Sequence, residues 1–100
     1  MNVSTTAILE TSARRLFPDR NMDQVFAELL LERARKNLIR YQAMARRFEA
    51  KYDQSFAAFH DRVLNSESTS EAEQDYFDWE LAVTGIEDME QEIKHLSALG

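Results

Sequence analysis

Apolar residues recur at alternating spacings of four and three along one long stretch of this chain of 100 residues. They are Ala27, Leu31, Ala34, Leu38, Tyr41, Ala45, Phe48 and Tyr52. A seven-residue repeat sustained in this way is typical of a helix that packs lengthwise against another helix. It predicts an α-helix over residues 22–52, about 45 Å long at the usual rise per residue.

A second seam of the same kind predicts a helix over residues 71–99, about 43 Å long. Its members are Trp79, Ala82, Ile86, Met89, Ile93 and Leu96. Two helices of nearly equal length with apolar seams predict a long antiparallel helical hairpin. Gly85 lies inside this predicted helix, where glycine costs about 1 kcal/mol relative to alanine, and we favour a close crossing of the two helices over a break at this position.

Turn and capping signals divide the rest of the chain. Pro18 ends an N-terminal helix, and Asn21 with Gln24 forms a capping-box pattern before the first long helix. Ser70 and Glu73 form a second such pattern, at the end of a polar loop. The prediction is a single all-α domain over residues 1–100, with a short N-terminal helix, the hairpin and a short helical elbow, at residues 6–16, 22–52, 55–64 and 71–99.

Four apolar residues near the start of the first long helix lie off its seam: Val25, Phe26, Leu29 and Leu30. A two-helix hairpin covers only one side of each helix, so these side chains need another cover. They predict that the hairpin is completed either by a second copy, in a dimeric bundle, or by a permanent partner.

Charge is divided unevenly along the chain. Residues 1–63 contain eight acids and eleven bases, whereas residues 64–100 contain ten acids and one lysine. The two parts carry net charges of +3 and −9, which together give the net charge of −6. A division this sharp indicates a protein that presents charged surface to another molecule.

Composition narrows the classes of function. The chain has no cysteine, which excludes disulfides, thiolate metal sites and thiol catalysis. Residues 1–17 lack the basic and apolar regions of a signal peptide, and no stretch approaches the roughly 18 apolar residues of a membrane span. We therefore expect a cytoplasmic protein with no membrane partner.

No group of residues supports catalysis or a cofactor. Glu92 and His95 have the Glu-x-x-His spacing of di-metal bundles, but both fall outside the apolar seam, so a solvated helix end is favoured. His60 precedes Asp61, yet adjacent helical residues do not face each other, so a partly exposed structural histidine is favoured. We expect no enzymatic activity, no metal and no cofactor.

Basic residues along the first long helix raise the alternative of nucleic-acid binding. They are Arg33, Arg35, Lys36, Arg40, Arg46, Arg47 and Lys51. Against this alternative, Glu28, Glu32 and Glu49 are interspersed among them. A ribbon–helix–helix module over residues 1–40 is disfavoured too, because no basic residue precedes Arg14.

The acidic C-terminal helix is the stronger candidate for a functional surface. Its first turns mix carboxylates with aromatic rings, and the predicted partner-binding residues are Glu71, Asp75, Tyr76, Asp78, Trp79 and Glu80. Aromatic anchors supply affinity for a basic partner, and carboxylates steer its approach. The alternative is that the acidic helix simply lies against the basic one, with its charges either solvated or paired across the hairpin.

Three segments carry a resemblance to a known family: Phe48-Glu49-x-Lys51-Tyr52, Ser55-Phe56-x-x-Phe59 and Asp75-Tyr76-x-x-Trp79-Glu80. Over residues 20–99 the chain resembles small helical prokaryotic antitoxins of toxin–antitoxin pairs. That family has a glycine after Lys-Tyr and acids after Ser-Phe, where this chain has Asp53, Ala57 and Ala58. The resemblance implies a non-catalytic protein that sequesters a toxin, often an RNase.

Three hypotheses follow, in order of preference. The first is an antitoxin-like interaction protein that neutralises a small basic toxin through its acidic, aromatic C-terminal helix. The second is a self-contained homodimeric structural or scaffold protein whose opposite charges pair internally. The third is a nucleic-acid binder that uses the basic first long helix.

Overall fold

The computed structural model describes residues 3–66 and 68–99, and over these residues it contains helices and no strand. The helices are α1 (Val3–Leu16), α2 (Met22–Tyr52), α3 (Phe56–Asn65) and α4 (Ser70–Ala98). The all-α prediction is confirmed, and the bounds of α2 agree with it. The predicted start of α1 at residue 6 is wrong, because the helix already includes Val3 and no glycine or proline interrupts its first turn.

Both ends of α2 are set by local interactions. The Asn21 side chain accepts a hydrogen bond from the Gln24 amide at 2.9 Å, and the Gln24 side chain accepts one from the Asn21 amide at 2.9 Å. The predicted capping box is therefore confirmed. At the other end, Asp53 adopts the left-handed conformation (φ 50°, ψ 43°), which turns the chain toward α3 and which aspartate tolerates better than most residues.

The predicted starts of α3 and α4 are each displaced by one residue. Ser55 is the N-cap of α3, since its hydroxyl accepts from the Ala58 amide at 3.2 Å. Thr69 is the N-cap of α4, since its hydroxyl accepts from the Ala72 amide at 3.1 Å. The capping box predicted with Ser70 is therefore wrong: Thr69 has the extended backbone that an N-cap needs, and Ser70 is already helical.

α2 and α4 lie side by side with opposite chain directions. Lys51, in the last turn of α2, contacts Asp75 near the start of α4, whereas Tyr41, further back in α2, meets Gly85, further along α4. Every predicted seam position on the two helices is buried or half-buried. The apolar repeat therefore identified the packed sides of both helices correctly.

The core is concentrated at the end of the molecule that α3 closes. Ala45, Phe59, Trp79 and Ala82 form a buried cluster there, with aromatic rings of α2 and α3 packed around it. Toward the other end, Val25 and Ala34 are the buried apolar side chains among the described residues. Large apolar side chains remain exposed at that end: Ile8, Leu9, Leu16, Phe26, Leu29, Leu30, Ile39 and Leu99. The fold is therefore complete at one end and uncovered at the other.

Gly85 marks the closest approach of α4 to α2. A Cβ atom placed on Gly85 would lie 2.6 Å from two ring carbons of Tyr41, well inside van der Waals contact. α4 continues through this position without interruption. The favoured interpretation, a close crossing rather than a break, is therefore confirmed.

The substitution Gly85→Ala tests this crossing. Alanine gains about 1 kcal/mol of helix propensity, but it forces the Tyr41 ring to move, and overpacking costs about 1–3 kcal/mol. Because the obstructed atoms include the inner part of the ring, we expect a net fall of about 1 kcal/mol or more in the free energy of unfolding. Urea denaturation measures it, with the exposed neighbour Thr84→Ala as control. A Gly85→Ala protein more stable than wild type would contradict the close crossing.

Candidate interaction surface on α4

The predicted partner-binding residues share the first turns of α4 but do not share one face. In a helix each residue is rotated by about 100° from the one before it. Side chains a few positions apart therefore point toward the core, along the flanks of the helix, or to solvent. The structure assigns these residues to all three environments.

Trp79 is part of the core. Its side chain is fully buried, at 0% exposure, and its ring lies 5.7 Å from Phe48, 5.4 Å from Phe56 and 5.3 Å from Phe59, centroid to centroid. These rings come from α2 and α3, so Trp79 joins three helices. In this structure Trp79 offers no surface to another molecule, and it can support partner binding only by holding the shape of α4.

Asp75 belongs to a polar network between α2 and α4. Its carboxylate accepts hydrogen bonds from Lys51 Nζ at 2.6 Å and from the Tyr52 hydroxyl at 2.5 Å. Lys51 also donates to Glu71 at 2.7 Å. The Asp75 side chain is only 14% exposed, whereas Glu71 remains largely in solvent. Asp75 is thus engaged within the chain, while Glu71 is still accessible from outside.

This network shifts the titration of its members. Hydrogen bonds from Lys51 and then Tyr52 hold the pKa of Asp75 below its ordinary value of 3.8. Hydrogen bonds to Asp75 and Glu71 raise the pKa of Lys51. Burial, followed by the hydrogen bond to Asp75, raises the pKa of Tyr52. Asp75 and Lys51 are therefore both held in their charged forms across the neutral range.

Tyr76 connects α4 to α3. Its hydroxyl lies 2.7 Å from His60 Nδ1, and its ring stacks on Phe56 with centroids 5.6 Å apart. Burial raises the pKa of Tyr76, and the carboxylate of Glu80 adds to the effect. His60 is half-buried in this contact, which agrees with the interpretation of a structural histidine. Tyr76 therefore presents only part of its ring to solvent.

Two apolar residues that were not in the predicted set lie on the outward side of α4. Phe77 is 61% exposed and Leu81 is 56% exposed. They are four residues apart, so they form a pair on one helical face. Both fall outside the seam that runs through Trp79 and Ala82. Large apolar residues outside the seam of a helix are expected to be exposed, and this rule could have identified Phe77 and Leu81 from the sequence.

Carboxylates flank this pair on both sides. Glu73 and Glu80 are exposed on one side, and half-buried Asp78, which accepts a hydrogen bond from Gln74 at 3.0 Å, lies on the other. Over the described part of the chain, none of these three acids forms an ion pair. We call this surface, formed by Phe77, Leu81, Glu73, Asp78 and Glu80, the Phe77 face.

Internal pairing of the two long helices accounts for little of the charge division. Within residues 3–66 and 68–99, the ion pairs that join α2 to α4 are the two formed by Lys51. Six other basic residues of α2 are exposed and have no acidic partner on α4: Arg33, Arg35, Lys36, Arg40, Arg46 and Arg47. Over these residues the acids of α4 pair with α2 through Lys51, and the other basic side chains of α2 are exposed to solvent. The seams bring the apolar sides together and leave most charges pointing outward.

Comparison with family models, curated proteins and solved structures found no match for the chain. The resemblance to antitoxins therefore stays a prediction. Among the residues that the structure describes, no helix has the length and apolar character to cross a membrane. Over the same residues, no three His, Asp or Glu side chains are grouped as they would be around a metal ion.

The polar network predicts a specific dependence of stability on pH. Because the pKa of Asp75 is lowered on folding, its contribution is fully present above its unfolded-state pKa and is lost as the pH falls through the folded-state pKa. We expect Asp75→Asn to lower the free energy of unfolding at pH 7 by about 1–2 kcal/mol. We also expect it to weaken the loss of stability in acid. Urea denaturation between pH 7 and pH 2 measures both effects.

Asp78→Asn is the matched control for Asp75→Asn, since Asp78 accepts a hydrogen bond from Gln74 but forms no ion pair in the described chain. It should change stability at pH 7 by no more than about 0.5 kcal/mol. An Asp75→Asn protein whose stability follows the wild-type pH dependence would show that Asp75 is not held by Lys51 and Tyr52.

Proposed function

We propose that this chain is a non-catalytic interaction protein that binds a basic protein through the Phe77 face. The observation that carries the proposal is an exposed aromatic and aliphatic pair surrounded by carboxylates that have no cationic partner among the described residues. Buried apolar anchors supply most of the affinity at protein interfaces, and surrounding charges raise the association rate and select the partner.

The packing of α4 gives this face a fixed shape. We propose that α2 and α4 act as an antiparallel hairpin that α3 closes at one end. Trp79 and Ala82 are fully buried on the inner side of α4, so the rotation of α4 about its axis is set and Phe77 points outward. A preorganised surface binds without the loss of conformational entropy that an unfolded segment would incur.

The resemblance to antitoxins suggests the class of partner, a small basic toxin such as an RNase. A protein that binds RNA presents cationic groups to phosphates. Carboxylates on a rigid helix can occupy those cationic groups, and Phe77 and Leu81 can bury their apolar surface beside them. We propose that such occupation neutralises the toxin by blocking its substrate.

We further propose that the chain works as a homo-oligomer. Eight large apolar side chains are exposed at the end of the molecule away from α3, including Phe26, Leu30 and Ile39. Exposed apolar side chains concentrated at one end of a molecule are typical of a surface that another protein covers. In this proposal the uncovered end serves self-association, and the Phe77 face remains available to the basic partner.

A basic stripe on α2 supports a second candidate function, nucleic-acid binding. Arg33, Lys36, Arg40 and Arg47 are exposed, and their spacings of three, four and seven put them on one helical face. Over this distance α2 extends about 21 Å, enough to follow several phosphates. Lys51 is not available to this stripe, because it is bound to Glu71 and Asp75.

Coexpression with a small neighbouring gene whose product is toxic alone tests the first candidate. We expect wild-type protein to abolish the toxicity and to bind the purified product. The double variant Phe77→Ser with Leu81→Ser should weaken binding at least about tenfold, since each lost apolar anchor is worth about 1 kcal/mol or more. Charge reversal of Glu73, Asp78 and Glu80 to lysine should slow association and remove its salt dependence.

The control is charge reversal of Glu87, Glu90 and Glu92, which are exposed acids of α4 outside the Phe77 face. Binding that survives both Phe77-face variants would contradict the proposed surface. The second candidate function instead predicts that the purified chain binds RNA or DNA with an affinity that rises steeply as the salt concentration falls. If the double variant Arg40→Glu with Arg47→Glu removes that binding, the second candidate function replaces the first.

A further inference from the structure

An open groove lies along the first half of α2, at the uncovered end of the molecule. α4 ends beside it, and Leu96 and Leu99 line one side. Phe26, Leu30 and Ile39 contribute apolar surface to the groove and are more than half exposed. Acidic and basic side chains of α2 line it as well: Asp23, Glu28, Glu32, Arg35 and Lys36.

The charges in this groove follow an order along α2. Within α2 the acidic groove residues, which end at Glu32, precede the basic ones, Arg35 and Lys36, whereas Arg20 lines the groove just before α2 begins. Four groove residues, Glu28, Glu32, Arg35 and Ile39, are separated by four, three and four positions. This spacing puts them on one helical face. The spacing is also symmetric about the midpoint between Glu32 and Arg35.

We propose that the groove is occupied by α2 of a second copy of this chain, which runs antiparallel to the first α2. The two-fold axis passes between Glu32 and Arg35, so Glu32 of each copy faces Arg35 of the other. In a two-fold interface every contact occurs twice. An antiparallel arrangement with this axis therefore repeats the Glu32–Arg35 pair twice, and it puts Glu28 of each copy opposite Ile39 of the other.

The Glu32 and Arg35 side chains are free to form these contacts with a second copy. Neither Glu32 nor Arg35 forms an ion pair within the described residues, and both side chains are exposed. Glu28 differs, since its carboxylate lies 3.0 Å from Arg20 Nε of the same chain. Glu32 and Arg35 are consequently the residues whose charges decide the register. Leu31 and Ile39, on either side of them in the groove, would be covered by the second helix.

This inference rests on the proposed self-association and specifies its geometry, and it does not depend on the basic partner. The groove lies at the end of the molecule away from α3, whereas the Phe77 face lies on the first turns of α4 near α3. A dimer formed in this way leaves both Phe77 faces accessible. The whole assembly would then offer two binding surfaces to basic proteins.

Sedimentation equilibrium of the full chain tests the register. We expect a dimer with a micromolar dissociation constant. Glu32→Arg alone and Arg35→Glu alone should each raise that constant at least about tenfold, because each puts like charges opposite one another at two places. The double variant Glu32→Arg with Arg35→Glu should recover wild-type association. An equimolar mixture of the two single variants should also associate, as a heterodimer in which every acid faces a base.

Arg46→Glu is the control, because Arg46 is an exposed basic residue of α2 outside the groove. Circular dichroism establishes that each variant retains its helices. A monomeric wild-type chain would overturn both this inference and the proposed homo-oligomer. A wild-type dimer that the single reversals leave unchanged would overturn the inference alone. Binding of the basic partner, measured separately with the Phe77-face variants, decides the proposed function independently.

Discussion

Trp79 is the side chain on which three helices meet. Its ring contacts Phe48 of α2 and both Phe56 and Phe59 of α3, and none of it is exposed. A buried tryptophan removes more apolar area from water than any other side chain. Its position fixes the rotation of α4 about its own axis. That rotation in turn decides which residues of α4 face solvent, and so the composition of the Phe77 face depends on an interaction in the core.

The same packing gives the molecule a closed core at one end and exposed apolar side chains at the other. The described residues extend 59 Å in the longest direction and 18 Å in the shortest, a shape in which two long helices cannot enclose a core by themselves. α3 supplies the third side at one end, around Phe59. At the other end α1 contacts α2 but leaves Phe26, Leu30 and Ile39 exposed. Unpaired charge and uncovered apolar surface therefore both remain available for association with other molecules.

Much of the fold could be predicted from the sequence because its strongest signals are periodic. The apolar repeat placed Ala45 and Ala82 in the core, and the Asn21–Gln24 pattern set the start of α2. Single-residue details were less predictable, since several hydroxyl residues before α4 can act as the N-cap and only the backbone selects Thr69. For Trp79, the surrounding acids suggested a surface position. Its place in the seam was the better guide, because burial of a large ring outweighs the charge of its neighbours.

The resemblance to antitoxins rests largely on aromatic residues that are packed inside the fold. Phe48, Tyr52, Phe59 and Trp79 belong to the core or pack against it, so these motifs bear on how the chain folds more than on what it binds. Asp53, where that family has glycine, is the one described non-glycine residue with positive φ, a conformation that glycine adopts without strain. The partner must therefore be argued from the solvent-facing residues.

The fluorescence of Trp79 tests the central claim most directly, because the chain contains a single tryptophan. The measurement is the emission maximum and acrylamide quenching of the native protein, alone and with a bound basic partner. A core tryptophan predicts short-wavelength emission and weak quenching, both unchanged when the partner binds. Long-wavelength emission with ready quenching in the free protein, followed by protection on binding, would contradict the account and return Trp79 to the interaction surface.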